Sequence, residues 1–296
     1  MSGFLTLLFG SLIRPFTLQT SKDSVCGCDF SVCFEEKVFA DSEGTGDFWK
    51  ADKSDFLFKK VVAADAVVFE IIRNGVKVAD GSNALGTLYS SFTNAPLYAG
   101  YLANWTAIFA AFGGGLYNIV ISYTSFSTNY KIKSRDFRLY PYNAELANRT
   151  VKIESFQKGN IIGSEFDYSL VLADLPNGWY SSLRLTGTFG NRTPTLESDD
   201  YLNTFYKQVQ NRTQIINEFT LETELIPNTI LKQIANQNVL ANEVFVTNYD
   251  LEADELFRNF AVVPKSFSEV NHLNRSSVKF AITFQERTQN IIKRNF

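Results

Sequence analysis

The chain has 296 residues, of which 45% are apolar and 20% are charged, and its formal net charge is −3 at pH 7. This composition is ordinary for a globular protein and far from that of disordered chains. The slightly acidic balance gives no field that would attract nucleic acid as a direct binding partner. The length predicts two domains, with one large β domain as the alternative.

Aromatic residues are abundant, whereas residue types typical of acid–base catalysis are sparse. The chain has 13 Tyr and 27 Phe but one His and one Met. Many aromatics lie in short alternating runs, such as residues 278–284, VKFAITF. Alternation with period two is typical of strands that are buried on one face. The sequence therefore predicts a mainly β assembly protein and names no biochemical activity.

The N-terminal segment is a candidate arm, which we place at residues 1–29. Its apolar part, residues 4–13, is too short to cross a bilayer, because a spanning helix needs about 20 apolar residues. It also lacks a preceding positive charge, and Arg14 and Pro15 follow it, so a degenerate signal peptide is the less favoured alternative. The apolar side chains are candidates for a subunit interface: Phe4, Leu5, Leu8, Phe9, Leu12 and Ile13.

All three cysteines, Cys26, Cys28 and Cys33, lie within this arm or just after it. An odd number in one short segment does not predict a disulfide framework. A zinc site would need a fourth ligand, and the spacing matches no common zinc pattern. We interpret them as free, partly buried thiols.

A first β domain is predicted at residues 30–142. Asn74-Gly75 lies between two β-branched runs, which strongly indicates a hairpin, since a type I′ turn needs positive φ at both central residues. Residues 113–115 are three glycines, which indicate a turn that leads into a strand. That strand places one set of side chains on a common buried face: Tyr117, Ile119, Ile121 and Tyr123.

A second β-rich domain is predicted at residues 143–296, after a Pro- and Asn-containing boundary at residues 141–149. A helix at about residues 228–242 is expected to lie across its sheet, since Ile226, Ile230 and Ile234 recur every four residues. The strand before it should turn Glu222 and Glu224 outward and a second set of residues inward: Phe219, Leu221, Thr223 and Leu225.

The C-terminal strand, at residues 278–284, is followed by a basic tail. The alternation predicts that Lys279, Thr283 and Gln285 point away from the core. The residues between them should face the core: Val278, Phe280, Ile282 and Phe284. The tail, with Lys293 and Arg294, is expected to be dispensable for folding.

No motif predicts catalysis. The glycine run lacks the Lys-Ser/Thr of a phosphate loop, and His272, the only histidine, is expected in an exposed turn. Asp250, Glu252 and Asp254 resemble the start of a calcium loop, but the later EF-hand positions do not match. We interpret them as a solvated acidic loop, with an irregular calcium site as the minor alternative. We therefore assign no catalytic, cofactor or metal site.

Three tryptophans, Trp49, Trp105 and Trp179, are candidates for stacking platforms that bind sugars. Trp105 and Trp179 lie next to Asn and Gly turn residues, which is compatible with partial exposure of both. We nevertheless favour the interpretation that they are core or interface anchors, which is the more common role of aromatics at strand ends.

Parts of the chain resemble virion proteins of tailed bacteriophages, in particular crAss-like and related phages. The resemblance depends on residues 240–250, LANEVFVTNYD, on the closing stretch 278–296, and on the first half from 59 to 117. It covers about two thirds of the chain. It implies a neck or tail ring, or tail-hub, protein with an N-terminal immunoglobulin-like or jelly-roll-like β-sandwich and a β-rich second domain.

The expected function is that of a non-enzymatic virion structural protein in a symmetric ring around the DNA channel. Its partners would be six or twelve copies of itself, other neck, tail or portal proteins, and passing DNA without sequence-specific contacts. We expect assembly in the host bacterial cytoplasm and no membrane partner. The alternative is a baseplate or adhesin module that binds host surface glycans, and a weaker reading is a glycan-cleaving enzyme.

Overall fold

A computed structural model describes most of the chain. The described residues are 6–10, 34–41, 47, 49–60, 62–89, 98–125, 128–157, 179–202, 204–227, 230–231, 234–270, 277–287 and 290–293.

The described residues are mainly in strands, as the sequence predicts. The strands before residue 142 are β1 Thr6–Gly10, β2 Glu35–Ala40, β3 Lys53–Lys59, β4 Ala66–Arg73, β5 Val76–Asp80, β6 Gly86–Tyr89, β7 Tyr98–Asn104, β8 Gly115–Ser125, β9 Thr128–Lys133 and β10 Asp136–Pro141. The later strands are β11 Thr150–Gln157, β12 Trp179–Leu202, β13 Gln208–Thr223, β14 Ile226–Pro227, β15 Glu243–Asn248, β16 Phe260–Val270, β17 Ser277–Glu286 and β18 Asn290–Lys293. The helical elements are α1 Trp105–Phe112, α2 Ala144–Ala147 and a π-helix at Ile234–Asn238.

The first half is a β-sandwich. One sheet has the order β1-β3-β7-β6, and the other has the order β2-β10-β8-β4-β5 with β9 also paired to β8. Phe56 and Tyr101 from the first sheet pack against Phe69 and Phe137 from the second, and all four side chains are buried. Face-to-face packing of two sheets through their apolar faces is the basis of sandwich folds.

Two predictions for this sandwich are confirmed. The hairpin between β4 and β5 turns at Asn74 and Gly75, whose φ values are 49° and 83°. Strand β8 begins at Gly115, at the end of the glycine run, and its predicted inward residues are all buried: Tyr117, Ile119, Ile121 and Tyr123.

Helix α1 is an element that the sequence pattern did not predict. Asn104 caps it by accepting hydrogen bonds from the backbone N–H groups of Thr106 and Ala107. Trp105 is a core residue, as the favoured interpretation of its position predicts. Its side chain is fully buried, and its indole Nε1 donates to Ser54 Oγ at 2.9 Å. The cap places Trp105 at the first helical position, where the ring enters the sandwich core.

The second half is an eight-stranded sheet with the order β14-β17-β16-β15-β11-β12-β13-β18. Strand β17 also pairs with β13, so β11, β12, β13, β17, β16 and β15 form a continuous cycle of pairings. This closure leaves the cycle without a free edge. Its interior holds an apolar core that includes Ile153, Leu183, Leu221 and Val246.

The predicted core face of the C-terminal strand is confirmed, because Val278, Phe280, Ile282 and Phe284 are all buried. Lys279 is exposed, but the expectation for Gln285 is wrong, since its side chain is buried. Strand β17 lies between β16 and β13 at this position, so neighbouring strands flank Gln285 on both sides.

One residue of β13's predicted inward face, Leu225, is exposed instead. Phe219, Leu221 and Thr223 are buried, whereas Leu225 is 48% exposed. Strand β13 ends at Thr223 and the chain turns into β14, which breaks the alternation and makes Ile226 the next buried residue.

The helix predicted at about residues 228–242 is shorter and irregular. Ile230 and Leu231 are helical, Ile234–Asn238 is a π-helix, and residues 239–242 form turns, while 228, 229, 232 and 233 lie outside the described residues. Asn238 donates its side-chain Nδ2 to Ser155 Oγ at 3.0 Å. This contact joins the π-helix to strand β11 of the closed sheet. The three isoleucines of the pattern are nevertheless buried: Ile226, Ile230 and Ile234.

The described part of the N-terminal arm joins the sandwich. Strand β1 pairs antiparallel with β3 of the same chain, and it contains Leu8 and Phe9. Phe4, Leu5, Leu12 and Ile13 lie outside the described residues, as do Cys26, Cys28 and Cys33. Their role in a subunit interface stays a prediction.

Candidate functional site

A two-stranded ribbon extends beyond the closed sheet. Residues 193–202 of β12 pair antiparallel with residues 208–218 of β13. At about 3.3 Å per residue, ten residues make the ribbon roughly 30 Å long. Every described side chain from residue 191 to 202 is exposed, so both faces of β12 meet solvent here.

The ribbon tip, residues 204–207, carries the most exposed aromatic side chains of the described chain. Phe205 is 79% exposed and Tyr206 is 87% exposed. Tyr206 has a φ of 58°, in the left-handed region that a bulky residue seldom adopts. Further exposed apolar residues lie along the ribbon toward its tip: Leu196, Tyr201, Leu202 and Ile215. An apolar patch of this kind on a projection is typical of an interaction surface.

The base of the ribbon is firmly held. The pairing of β12 and β13 shifts between Gly190 and Thr193, where Asn191 has a φ of 52°. Arg192 Nε donates to Asn217 Oδ1 at 3.0 Å, and Asn217 Nδ2 donates to Glu286 Oε2 at 2.8 Å. These bonds connect the ribbon to β17 of the closed sheet and fix its direction.

The C-terminal strand supports the ribbon. Strand β18 pairs antiparallel with Arg212–Ile215, so the ribbon has three strands over this length. Three strands are more stable than an isolated hairpin, which is marginal in water. The predicted basic tail therefore includes a strand.

Removal of this strand should loosen the ribbon without unfolding the closed sheet. We expect a chain that ends at Asn290 to keep its thermal unfolding transition, because the cycle of strands does not include β18. Amide hydrogen exchange should speed up at residues 212–214, whose partner residues 291–293 are removed. Unchanged exchange there, or global unfolding, would contradict this role of β18.

A cavity of about 560 Å³ lies at the base of the ribbon. Phe189 and Phe257 form its apolar part, and Gly190 and Arg192 border it from the ribbon side. Its remaining lining includes the predicted acidic loop, with the carboxylates of Asp250, Glu252, Asp254 and Glu255. In the described part of the chain, no group of three or more metal-ligating side chains is arranged to hold a metal ion.

A buried ionic junction joins the sandwich to the closed sheet, with Arg184 of β12 at its centre. Arg184 Nε and Nη2 donate to the two carboxylate oxygens of Asp52 at 3.0 and 2.9 Å. Its guanidinium carbon lies 4.0 Å from the centroid of the Tyr249 ring. Burial acts to lower the pKa of Arg184, but Asp52 and Tyr249 together outweigh burial, so that pKa lies above its ordinary value.

Two further sandwich residues complete this junction. Glu36 accepts from the backbone N–H of Arg184 at 2.8 Å and from Arg135 Nε at 2.7 Å. Desolvation raises the pKa of the Glu36 carboxyl, although Arg135 acts in the opposite direction. Ser181 Oγ donates to Asp55 Oδ1 at 3.0 Å in the same junction.

Lys152 of β11 reaches the sandwich from the closed sheet. Its Nζ donates to the carbonyl oxygen of Ala51 at 3.2 Å and lies 3.7 Å from Asp52. Desolvation acts to lower the pKa of Lys152, but Tyr249, Glu154 and Asp52 outweigh it and raise that pKa. The two halves are thus connected by paired buried charges, which require one relative placement.

The other residues that the sequence singled out are dispersed. Trp49 is half-buried and packs against Tyr142 and Tyr249. Trp179 begins β12, and Trp105 lies in the sandwich core. Because Trp105 is buried, it cannot belong to a surface platform with Trp49. His272 lies outside the described residues.

The sequence did not identify the ribbon. Its apolar residues are separated by Thr, Glu, Ser and Asp, so neither strand shows a buried face. The aromatic pair Phe205-Tyr206 was the one sequence signal that could have indicated an exposed interaction surface. It lies between acidic and basic residues, in a stretch without the alternation of a buried strand.

No helix in the described ranges is long and apolar enough to cross a membrane. Comparisons of the chain with protein-family models, with curated proteins and with solved structures found no match.

Proposed function

We propose that this protein is a structural component of a symmetric ring in the neck or tail of a tailed bacteriophage, around the DNA channel. The ribbon with its aromatic tip is the observation that carries this proposal. The sequence resemblance to phage virion proteins supports it. The acidic net charge of −3 suits a channel wall that DNA passes without sticking, because Lys and Arg dominate phosphate attraction.

The ribbon is suited to contacts between subunits for an energetic reason. Phe205 and Tyr206 are exposed in the single chain, and burying a Phe side chain contributes roughly 1.5–3 kcal/mol. Aromatic residues are also enriched in the buried centres of interfaces. A neighbouring subunit that covers the tip would recover this energy.

A rigid body is the second requirement of a ring subunit. The ionic junction around Arg184 and Asp52 holds the sandwich and the closed sheet in one arrangement, and Asn217 holds the ribbon on the closed sheet. A fixed angle between the contact surfaces of each subunit is what closes a cyclic assembly.

Replacing the tip aromatics should abolish assembly. We expect the double variant Phe205→Ser with Tyr206→Asn to remain a folded monomer under conditions where the unchanged protein forms rings. Asn tolerates the left-handed conformation at position 206, so the turn should be retained. Light scattering and negative-stain electron microscopy would report the particle mass and shape.

The matched control is Val76→Ser, which removes another exposed apolar side chain from a different hairpin. It should leave the rings unchanged. If the tip variant forms normal rings, the ribbon tip does not make the contact between subunits. A monomer whose tip aromatics bind bacterial surface glycans would instead favour the adhesin alternative.

A further inference from the structure

The tip of the ribbon cannot reach the cavity at the base of the same ribbon. The cavity is bordered by Gly190, Asn191 and Arg192, whereas the tip lies about ten residues further along each strand. At about 3.3 Å per residue, the separation is roughly 30 Å. Any contact between tip and cavity must therefore join two chains.

The cavity has the chemistry of a site for an aromatic side chain next to a cation. Phe257 is half-buried and gives the cavity an apolar surface, and the Phe189 ring, which is only 2% exposed, packs against it. Its volume of about 560 Å³ is in the range of roughly 300–1,000 Å³ that is typical of ligand pockets. Four carboxylates and one guanidinium, that of Arg192, line the cavity. The Arg192 guanidinium lies 4.0 Å from the Glu255 carboxylate.

The tip has the complementary chemistry. Phe205 and Tyr206 are strongly exposed, and the next residue, Lys207, is an exposed cation. The carboxylate of Asp200, which lies in the ribbon strand before the tip, accepts a hydrogen bond from Gln208 Nε2 at 2.6 Å. The end of the ribbon therefore presents two aromatic rings and a positive charge.

We infer that the ribbon tip of one copy of this chain inserts into the ribbon-base cavity of the next copy. The aromatic rings of Phe205 and Tyr206 would pack on Phe257, and the Lys207 ammonium would lie at the carboxylate rim. This inference rests on the proposed ring and names the contact that builds it. A tip-to-cavity contact uses different surfaces on the two subunits, and such heterologous contacts close into rings when the rotation allows it.

The test is a complementation experiment with two variants of the full chain. The tip variant carries Phe205→Ser and Tyr206→Asn, and the cavity variant carries Ala253→Trp, which fills the cavity from a half-buried position in its lining. Each variant alone should stay monomeric. An equimolar mixture should form dimers, because the cavity of the first variant still accepts the tip of the second.

Dimer formation in the mixture also proves that both variants are folded, since each must supply an intact surface. Rings from the cavity variant alone would overturn the inference, because tip-to-tip or other contacts would then suffice. Absence of dimers from the mixture, with both variants folded by circular dichroism, would overturn it as well.

A charge exchange tests the orientation of the contact. Lys207→Glu and Asp254→Lys should each cause loss of rings at a salt concentration where the unchanged protein assembles, because like charges then meet at the rim. The two substitutions together in one chain should recover part of the lost assembly, because position 254 then carries a positive charge while three rim carboxylates remain. Failure of the double variant to recover would contradict the pairing of Lys207 with this rim.

The outcomes separate this inference from the proposed function. If the unchanged protein forms no ring, the proposed function fails. If it forms rings that Ala253→Trp leaves intact, the proposed function stands and the tip-to-cavity contact is wrong.

Discussion

Replacing Arg184 with Met is expected to destabilise the protein by about 3–5 kcal/mol, the typical cost of removing one partner of a buried ion pair. Arg184 is buried, and Asp52, which is also buried, accepts two of its hydrogen bonds. Met preserves most of the apolar stem of Arg184. The lost stability should therefore come from the buried Asp52 carboxylate, which is left without its guanidinium partner. Lys152 lies 3.7 Å from Asp52 and would compensate only in part. Urea unfolding followed by circular dichroism would measure the change.

The matched control is Arg138→Met on strand β10 of the sandwich. Arg138 makes the same two-bond contact, with Nε and Nη2 at 2.8 Å from the oxygens of Glu35. This pair is exposed, with side-chain accessibilities of 39% and 40%, so its loss should cost about 0–1 kcal/mol. Equal effects of the two substitutions would show that the junction around Arg184 does not couple the two halves.

Truncating Phe280 to Ala should be the most damaging single change in the core of the closed sheet. The ring is buried and stacks on Phe267, with a centroid distance of 5.4 Å. Truncation of a buried Phe typically costs about 3–5 kcal/mol, because burial energy is lost and a cavity is left. That is a large part of the roughly 5–15 kcal/mol that stabilises a domain. Thermal unfolding would measure the effect.

Lys279→Ala is the control for this position, since Lys279 is the preceding residue on the same strand and is exposed. Its effect should stay within about 0.5 kcal/mol. A Phe280→Ala protein that unfolds at the temperature of the Lys279→Ala protein would mean that the ring contributes little to the core.

The sequence predicted the elements whose signals are local. Asn74-Gly75 specifies its own turn, and the alternations in β8 and β17 follow from strand geometry, so these elements were identified with their buried faces. Helix α1 was missed because its eight residues, WTAIFAAF, are apolar on all sides and show no helical periodicity.

The ionic junction could not be predicted for a different reason. Glu36 and Arg184 are 148 residues apart in the chain, and Asp52 and Arg184 are 132 apart. A charged residue within a strand is read from sequence as solvent-facing, and only the docking of two separately formed units makes it buried. The ribbon could not be predicted either, because the β12 side chains in it are exposed on both faces and leave no core pattern in the sequence.

The mass of the purified protein in solution tests the central claim most directly. A ring held by ribbon tips predicts a closed particle of six or twelve times the chain mass of 33.4 kDa, visible as a ring by electron microscopy. The same measurement on the variant with Phe205→Ser and Tyr206→Asn should give 33.4 kDa. A monomer from the unchanged protein at every concentration, or rings from both proteins, would contradict the account.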